Sequence, residues 1–324
     1  MIHFASGLLS IALLKYLAPI FVYVILSLFF TILFAPVMRF FEKRRLPSVL
    51  GYILSLAIFA VVFGVIFGIV NLSAKEFLQN ATLYKEKFIH LVNTLNTFLS
   101  GYDIKLDFSL LENIDLLGAV KGLLSKAGAV LKGFLIVFIG VSFLLFEQRY
   151  FYNKLSLLSP KANLNRFFSS TQKYFLIKTF TSFLTGLFVA LMLLWFGVPY
   201  WAVLGILAFL FNFIPVVGSI IAAIPGILMA LITYDIVTAL YVTLFYIVIN
   251  ITISNVLEPK LMGDGLDLSP AVVFFSLVLW GWVFGAVGMF LAVPLTMTLK
   301  VALESDERTK KWALLLSNIK DTHG

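Results

Sequence analysis

The chain has 324 residues, 61% of them hydrophobic and only 12% charged, where water-soluble domains run at roughly half apolar and a quarter charged. A soluble fold of this size lacks the polar surface to cover so much Leu, Ile, Val and Phe, so lipid is the solvent the composition fits; the long, non-alternating apolar runs read as helices rather than barrel strands. The net charge of +8 is spread over short loops beside apolar spans, as the positive-inside rule expects, which argues against a nucleic-acid partner, and the absence of cysteine excludes disulfides, thiolate catalysis and Cys-bound zinc or iron–sulfur centres.

Residues 4–38 are apolar and broken near Ala18-Pro19. The arm from Phe4 to Leu17 would reach about 21 Å as a helix, short of the ~30 Å hydrocarbon core, so 4–38 is either one kinked span or a hairpin of unequal arms. Lys15 inside this stretch, with no small-residue cleavage pattern after it, argues against a removable signal peptide. The next loop carries Arg39, Lys43, Arg44 and Arg45 against Glu42, and is expected in the cytoplasm. Residues 48–71 form a full span, with Gly51, Gly64 and Gly68 expected to let helices approach closely.

The character changes over 72–126, where six Lys balance six acids and Phe77, Tyr84, Phe88, Leu91, Leu95 and Phe98 recur near a helical period. Gly101-Tyr-Asp103 reads as a turn and 109–125 as a second amphipathic helix, together a small extracytoplasmic helical module. Residues 128–146 span back. The basic stretch 147–178 is cytoplasmic and includes an interfacial amphipathic helix around Leu164 to Phe175. A span at 178–196 ends in Gly197-Val-Pro-Tyr-Trp201. Segments 201–214, 219–233, 236–256, 270–284 and 286–303 complete the membrane part, interrupted by Pro and Gly, before a charged cytoplasmic tail at 304–324. Drawing 201–233 and 270–303 as hairpins puts every short basic loop on one side, with both termini cytoplasmic. The resulting domains are 1–72 (N-terminal membrane segments), 73–126 (extracytoplasmic insert), 127–303 (transport core) and the tail 304–324.

Chemistry is expected in three stretches. In Phe211-Asn-Phe-Ile-Pro-Val-Val-Gly-Ser219, Pro215 removes a backbone donor and Gly218 permits a turn. Main-chain groups freed at membrane depth must be buried in protein or face a wet cavity, where Asn212 and Ser219 would add side-chain hydrogen bonds. In Asn250-Ile-Thr-Ile-Ser-Asn255-Val-Leu-Glu258-Pro259-Lys-Leu-Met-Gly263, Asn250 and Ser254 share one helical face and Asn255 and Glu258 another. Glu258 is either an interfacial charge paired with Lys260 or a proton or cation site. In the third stretch, Pro270, Gly281, Gly285, Gly288 and Pro294 read as hinge and packing positions of a tight helical hairpin, as does Pro225 upstream. His3, His90 and His323 are scattered and make no metal centre. No GxxxxGK[ST] loop, HExxH pattern or nucleophile elbow is present, so neither an enzyme, an ATP-driven pump nor a cofactor is expected.

The Ile214-Pro215-x-x-Gly218 break, Pro225, Glu258-Pro259-x-x-x-Gly263, Leu268-Ser-Pro270, and Gly285-x-x-Gly288 with Pro294 fall in an order and spacing that resembles the autoinducer-2 exporter (AI-2E) family of transporters, over roughly 176–303. The resemblance implies a multi-pass inner-membrane protein of a prokaryote with about eight membrane segments, and a homo-oligomer. Family members are linked to autoinducer-2 export and to sodium or lithium/proton antiport. Three functions follow as expectations: a carrier of a small polar solute, a monovalent cation/proton antiporter using Glu258 or Asp267, and a non-transporting scaffold whose 72–126 module binds a partner.

Overall fold

A computed structural model describes residues 15–100, 116–158, 164–215, 217–262, 268–305 and 308–317. Gly263 and Asp267, the 101–103 turn and the arm before residue 15 lie outside the described residues. The helices are α1 (Ala18–Lys43), α2 (Ser48–Ser100), α3 (Leu116–Ser125), α4 (Ala127–Leu158), α5 (Leu164–Trp195), α6 (Trp201–Phe211), α7 (Val217–Thr233), α8 (Ile236–Met262), α9 (Pro270–Phe290), α10 (Ala292–Glu304) and α11 (Lys310–Leu316). Six of them (α1, α2, α4, α5, α8 and α9) are long and apolar enough to cross a membrane, and α6 and α7 are shorter apolar helices. Large apolar side chains such as Val61, Phe143, Phe183 and Leu240 point outward. The protein is an all-α, multi-pass membrane protein.

Prolines set several of the helix features. Pro19 starts α1, where its missing N–H costs nothing. Pro36 lies inside the same helix, so the carbonyl of Ile32 loses its i+4 donor; the Nε2 of Gln172 on α5 fills that place at 3.2 Å. Pro270 opens α9, and the Ser269 hydroxyl caps that helix by accepting from Val272 N–H at 3.2 Å. Asp235 caps α8, accepting from Thr238 N–H at 2.7 Å, and this bond holds its carboxyl below the ordinary carboxylate range.

Two expected boundaries are absent. The span at 48–71 does not end before the polar segment: α2 continues for 53 residues, about 80 Å at helical rise, because no Gly or Pro occurs between Ile69 and Ser100. Its far part packs back on the core, where Phe77 and Tyr84 meet Tyr200 and the two tyrosine hydroxyls lie 3.3 Å apart. Likewise the stretch from Leu164 is no separate interfacial helix; it runs unbroken into the span as α5, with Tyr174 and Phe175 buried against Phe29 and its neighbours. The expected close approach at Gly64 and Gly68 is also not found, since neither has an atom within 4 Å of where a Cβ would sit. A close backbone contact is found instead between α5 and α6, where Gly186 and Gly205 each face the other's carbonyl oxygen. α5 is the most buried of the six long apolar helices and α2 the least.

Candidate functional site

α6 and α7 form a helical hairpin whose outer ends meet, the Tyr234 hydroxyl donating to the Gly197 carbonyl at 2.9 Å. Its turn is the break that begins at Asn212 and holds Pro215. There Ile214 N–H reaches Phe211 O at 2.8 Å and Gly218 N–H reaches Ile214 O at 3.2 Å. Gly218 serves this turn through close approach rather than an unusual φ: any Cβ there would collide with the Phe211 carbonyl oxygen. Pro215 sits in the turn, and Asn212, 4% exposed, ends α6.

The amide of Asn212 donates to Ser182 Oγ at 3.0 Å and its oxygen faces the Ser254 hydroxyl at 3.4 Å. That hydroxyl also faces Asn250 Oδ1 at 3.1 Å, and Asn250 Nδ2 meets Ser219 Oγ at 2.9 Å. Five polar side chains from α5, α6, α7 and α8 are thus joined in one chain, Ser182–Asn212–Ser254–Asn250–Ser219, buried at Ser182 and Asn212 and half-buried along the rest. Amides in an apolar surrounding need such partners, because an unsatisfied one costs about 1–3 kcal/mol.

At the Asn250–Ser219 end lies a cavity of about 250 Å³ between α5, α6, α7 and α8. Its polar atoms come from Thr185, Ser219, Thr243, Tyr246 and Asn250, and the remaining wall is aliphatic. Asn212 is not in this wall; it is reached through Ser254. A second hollow, about 410 Å³, opens at the 197–202 end of the same helices, with Ser73 and Glu76 of α2 facing Tyr200 and Trp201.

At the opposite end of the chain Lys178 of α5 pairs with Glu258 of α8. The ammonium lies 2.8 and 2.9 Å from the two carboxylate oxygens, and Thr181 Oγ1 lies 3.2 Å from Oε2. Lys178 is 4% exposed and Glu258 15%. Of the two alternatives for Glu258, the pairing with Lys260 is not found: its partner is Lys178, and Lys260 lies on the exposed side of the helix. Asn255 is exposed too and does not share the environment of Glu258. The reason is local: residues Ile251–Leu257 are π-helical, with Glu258 N–H bonded to Ile253 O, and the wider turn changes which residues share a face. The widening falls just before Pro259, which cannot donate to the Asn255 carbonyl.

The expected packing positions divide. Gly285 takes φ 64° and ψ −146° inside α9, a conformation closed to residues with a Cβ. Gly288 touches the Trp280 carbonyl, Gly281 faces Met289, and Trp280 Nε1 donates to Thr296 at 2.9 Å across the turn. Pro294 is buried in the first turn of α10, and Pro225 lies inside α7. The residues that sequence reasoning missed are on α5. Thr171, Lys178 and Thr185 recur every seven positions, with Thr181 and Ser182 between, and all five are buried. That polar stripe in an otherwise apolar helix was the available signal.

The AI-2E family transporter profile matches residues 4–307 of the chain. A protein of Haemophilus influenzae named for an inferred transport role is 34% identical over 332 residues, which cover 98% of this chain and 95% of that protein. The AI-2 transport protein TqsA of Escherichia coli K12 is 32% identical over 325 residues, covering 97% of this chain and 94% of TqsA. YhhT of the same organism, likewise named for an inferred transport role, is 29% identical over 308 residues, covering 92% and 88%. These matches span the insert and the core alike, and they remove the reading as a non-transporting scaffold. The chain belongs to the AI-2E transporter family and is a multi-pass membrane transporter of the cytoplasmic membrane, not an enzyme.

Proposed function

We propose that this transporter exports a small polar solute through the α5–α8 core, and that the polar chain from Ser182 to Ser219 beside the 212–215 break is its pathway. The observation that carries this reading is the junction of that chain with a cavity: Asn250 and Ser219 belong to both. A cavity of about 250 Å³ holds a compact solute, and hydroxyls with one amide suit a cargo rich in hydrogen-bonding groups. Broken helices lining a polar site are a common device of carriers. The name of TqsA gives AI-2 as the cargo of that relative, and AI-2 is the first solute to test here.

In this reading the membrane part has about eight segments. α6–α7 enters and leaves on the extracytoplasmic side, as its joined ends at Gly197 and Tyr234 suggest. α9–α10 enters and leaves on the cytoplasmic side, where Ser269 N–H meets Leu316 O at 3.2 Å. The overhang of α2 beyond its membrane span then stands at the outer mouth, with Glu76 and Tyr200 at the vestibule. The cation/proton antiport reading is favoured by one observation, the shielded acid Glu258, but its carboxylate is already occupied by Lys178. A cation could bind there only after that pair opened.

The test is AI-2 flux in proteoliposomes. Asn250→Leu and Asn212→Ala are each expected to slow flux at least tenfold, with the protein still folded. Unchanged flux in both variants would remove this chain of residues from the pathway.

A further inference from the structure

We infer that the Lys178–Glu258 pair and the π-helical turn beside it form the gate that closes the polar lane at its end remote from the cavity. The inference rests on the reading of that lane as the pathway and adds its closing element.

Position is the first argument. Ser182 lies four residues after Lys178 on α5, and Ser254 four residues before Glu258 on α8, so the pair sits one helical turn, about 5 Å, beyond the Ser182–Asn212–Ser254 junction. Thr181, between them on α5, itself reaches Glu258 at 3.2 Å. One turn further out Lys173 Nζ donates to the last carbonyl of α8, Met262 O, at 2.9 Å. Three side chains of α5 therefore clamp the end of α8 across the lane.

Asymmetry is the second. Lys178 is fixed in the middle of the 32-residue helix α5. Glu258 follows seven π-helical residues and stands four residues before the end of α8. Of the two partners Glu258 is the one that can leave. Rewinding Ile251–Leu257 from π to α geometry would turn Glu258 about the helix axis by roughly 100°, one residue's worth of rotation. It would carry Glu258 off Lys178 and unfasten the clamp at Met262. The same rewinding would leave Asn250, which precedes the π stretch, in place in the cavity wall. Gate and cavity are thus on opposite sides of one hinge. Burial of an ion pair is poor evidence for stability by itself, since apolar residues serve as well, whereas a pair that must open and close has a use for charge.

The absence of cysteine from the chain makes the test direct and independent of any cargo. Ser254→Cys places a thiol just behind the pair, and a membrane-impermeant cationic thiol reagent is added on the Glu258 side of sealed vesicles. With the pair intact, modification is expected to be slow. Glu258→Gln or Lys178→Met should speed it at least tenfold, and the exchange Lys178→Glu with Glu258→Lys should slow it again. A control, Ser55→Cys, sits at a fully buried position of α2 and should stay unreactive throughout. Unchanged modification in both single variants would overturn the gate, and so would equal activation of the control, which would mark the pair as a general structural support. If these rates respond while AI-2 flux ignores Asn212 and Asn250, the gate stands and the assigned pathway falls; if flux depends on those amides and the rates do not respond, the reverse holds.

Discussion

The residue that most changes the reading of this protein is Lys178. A lysine at the edge of an apolar segment, following other basic residues, looks like one more loop charge, and its neighbours Lys154, Lys161, Arg166 and Lys173 reinforce that impression. Its burial follows from α5 having begun about four turns earlier than the apolar pattern suggests, which draws 171–178 into the core. Removing one partner of a buried pair strands the other in low dielectric. Lys178→Met is therefore expected to lower stability by about 3–5 kcal/mol, while Lys178→Met combined with Glu258→Met should be near neutral. Unfolding in detergent micelles, followed by tryptophan fluorescence, measures both. Equal losses would mean that packing, not charge, holds α5 to α8. The amides were easier to read. Asn212, Ser219, Asn250 and Ser254 stand out because each is polar within an apolar run, and all four are in the observed chain. Asn255 misled because its stretch is π-helical, which changes the residues that share a face, and Lys260 because closeness in sequence to Glu258 does not give closeness to its carboxylate, which faces Lys178.

At the scale of elements, breaks were more legible than continuities. Pro215 with Gly218, and Gly285 with Gly288, mark turns because proline and glycine act locally, through a missing donor or a missing Cβ. The length of α2 was hidden because a change from apolar to balanced charge resembles a boundary, although nothing in the backbone stops the helix there. The α5–α6 contact was also not foreseen. Gly64 and Gly68 carry the spacing expected of a helix contact but face open space, whereas Gly186 and Gly205, on different helices, meet backbone to backbone. Gly186→Leu should therefore destabilise the protein by about 1–3 kcal/mol and displace the turn at 212–215, with loss of flux. Gly68→Leu should stay within about 0.5 kcal/mol of the parent. Thermal unfolding of the two variants side by side decides the point, and equal effects would contradict the close approach described for α5 and α6.

At the scale of the molecule, composition and the ordered Pro/Gly breaks were enough to place the chain in a membrane and to suggest its family. What they could not supply was depth. Hydropathy distinguishes lipid from water but not a protein-lined cavity from a lipid-lined face, since both are built from Ile, Val and Leu. The account depends on the hollow between α5, α6, α7 and α8 being wet and continuous with the vestibule at Tyr200. Thr243 lines that hollow, whereas Leu240, one turn earlier on α8, points outward. Single cysteines at these two positions, exposed to an impermeant thiol reagent added at the 197–201 face, make the decisive comparison. The account predicts that Thr243→Cys is modified and Leu240→Cys is not; an inert Thr243→Cys beside an equally inert Leu240→Cys would show a dry cavity and contradict it.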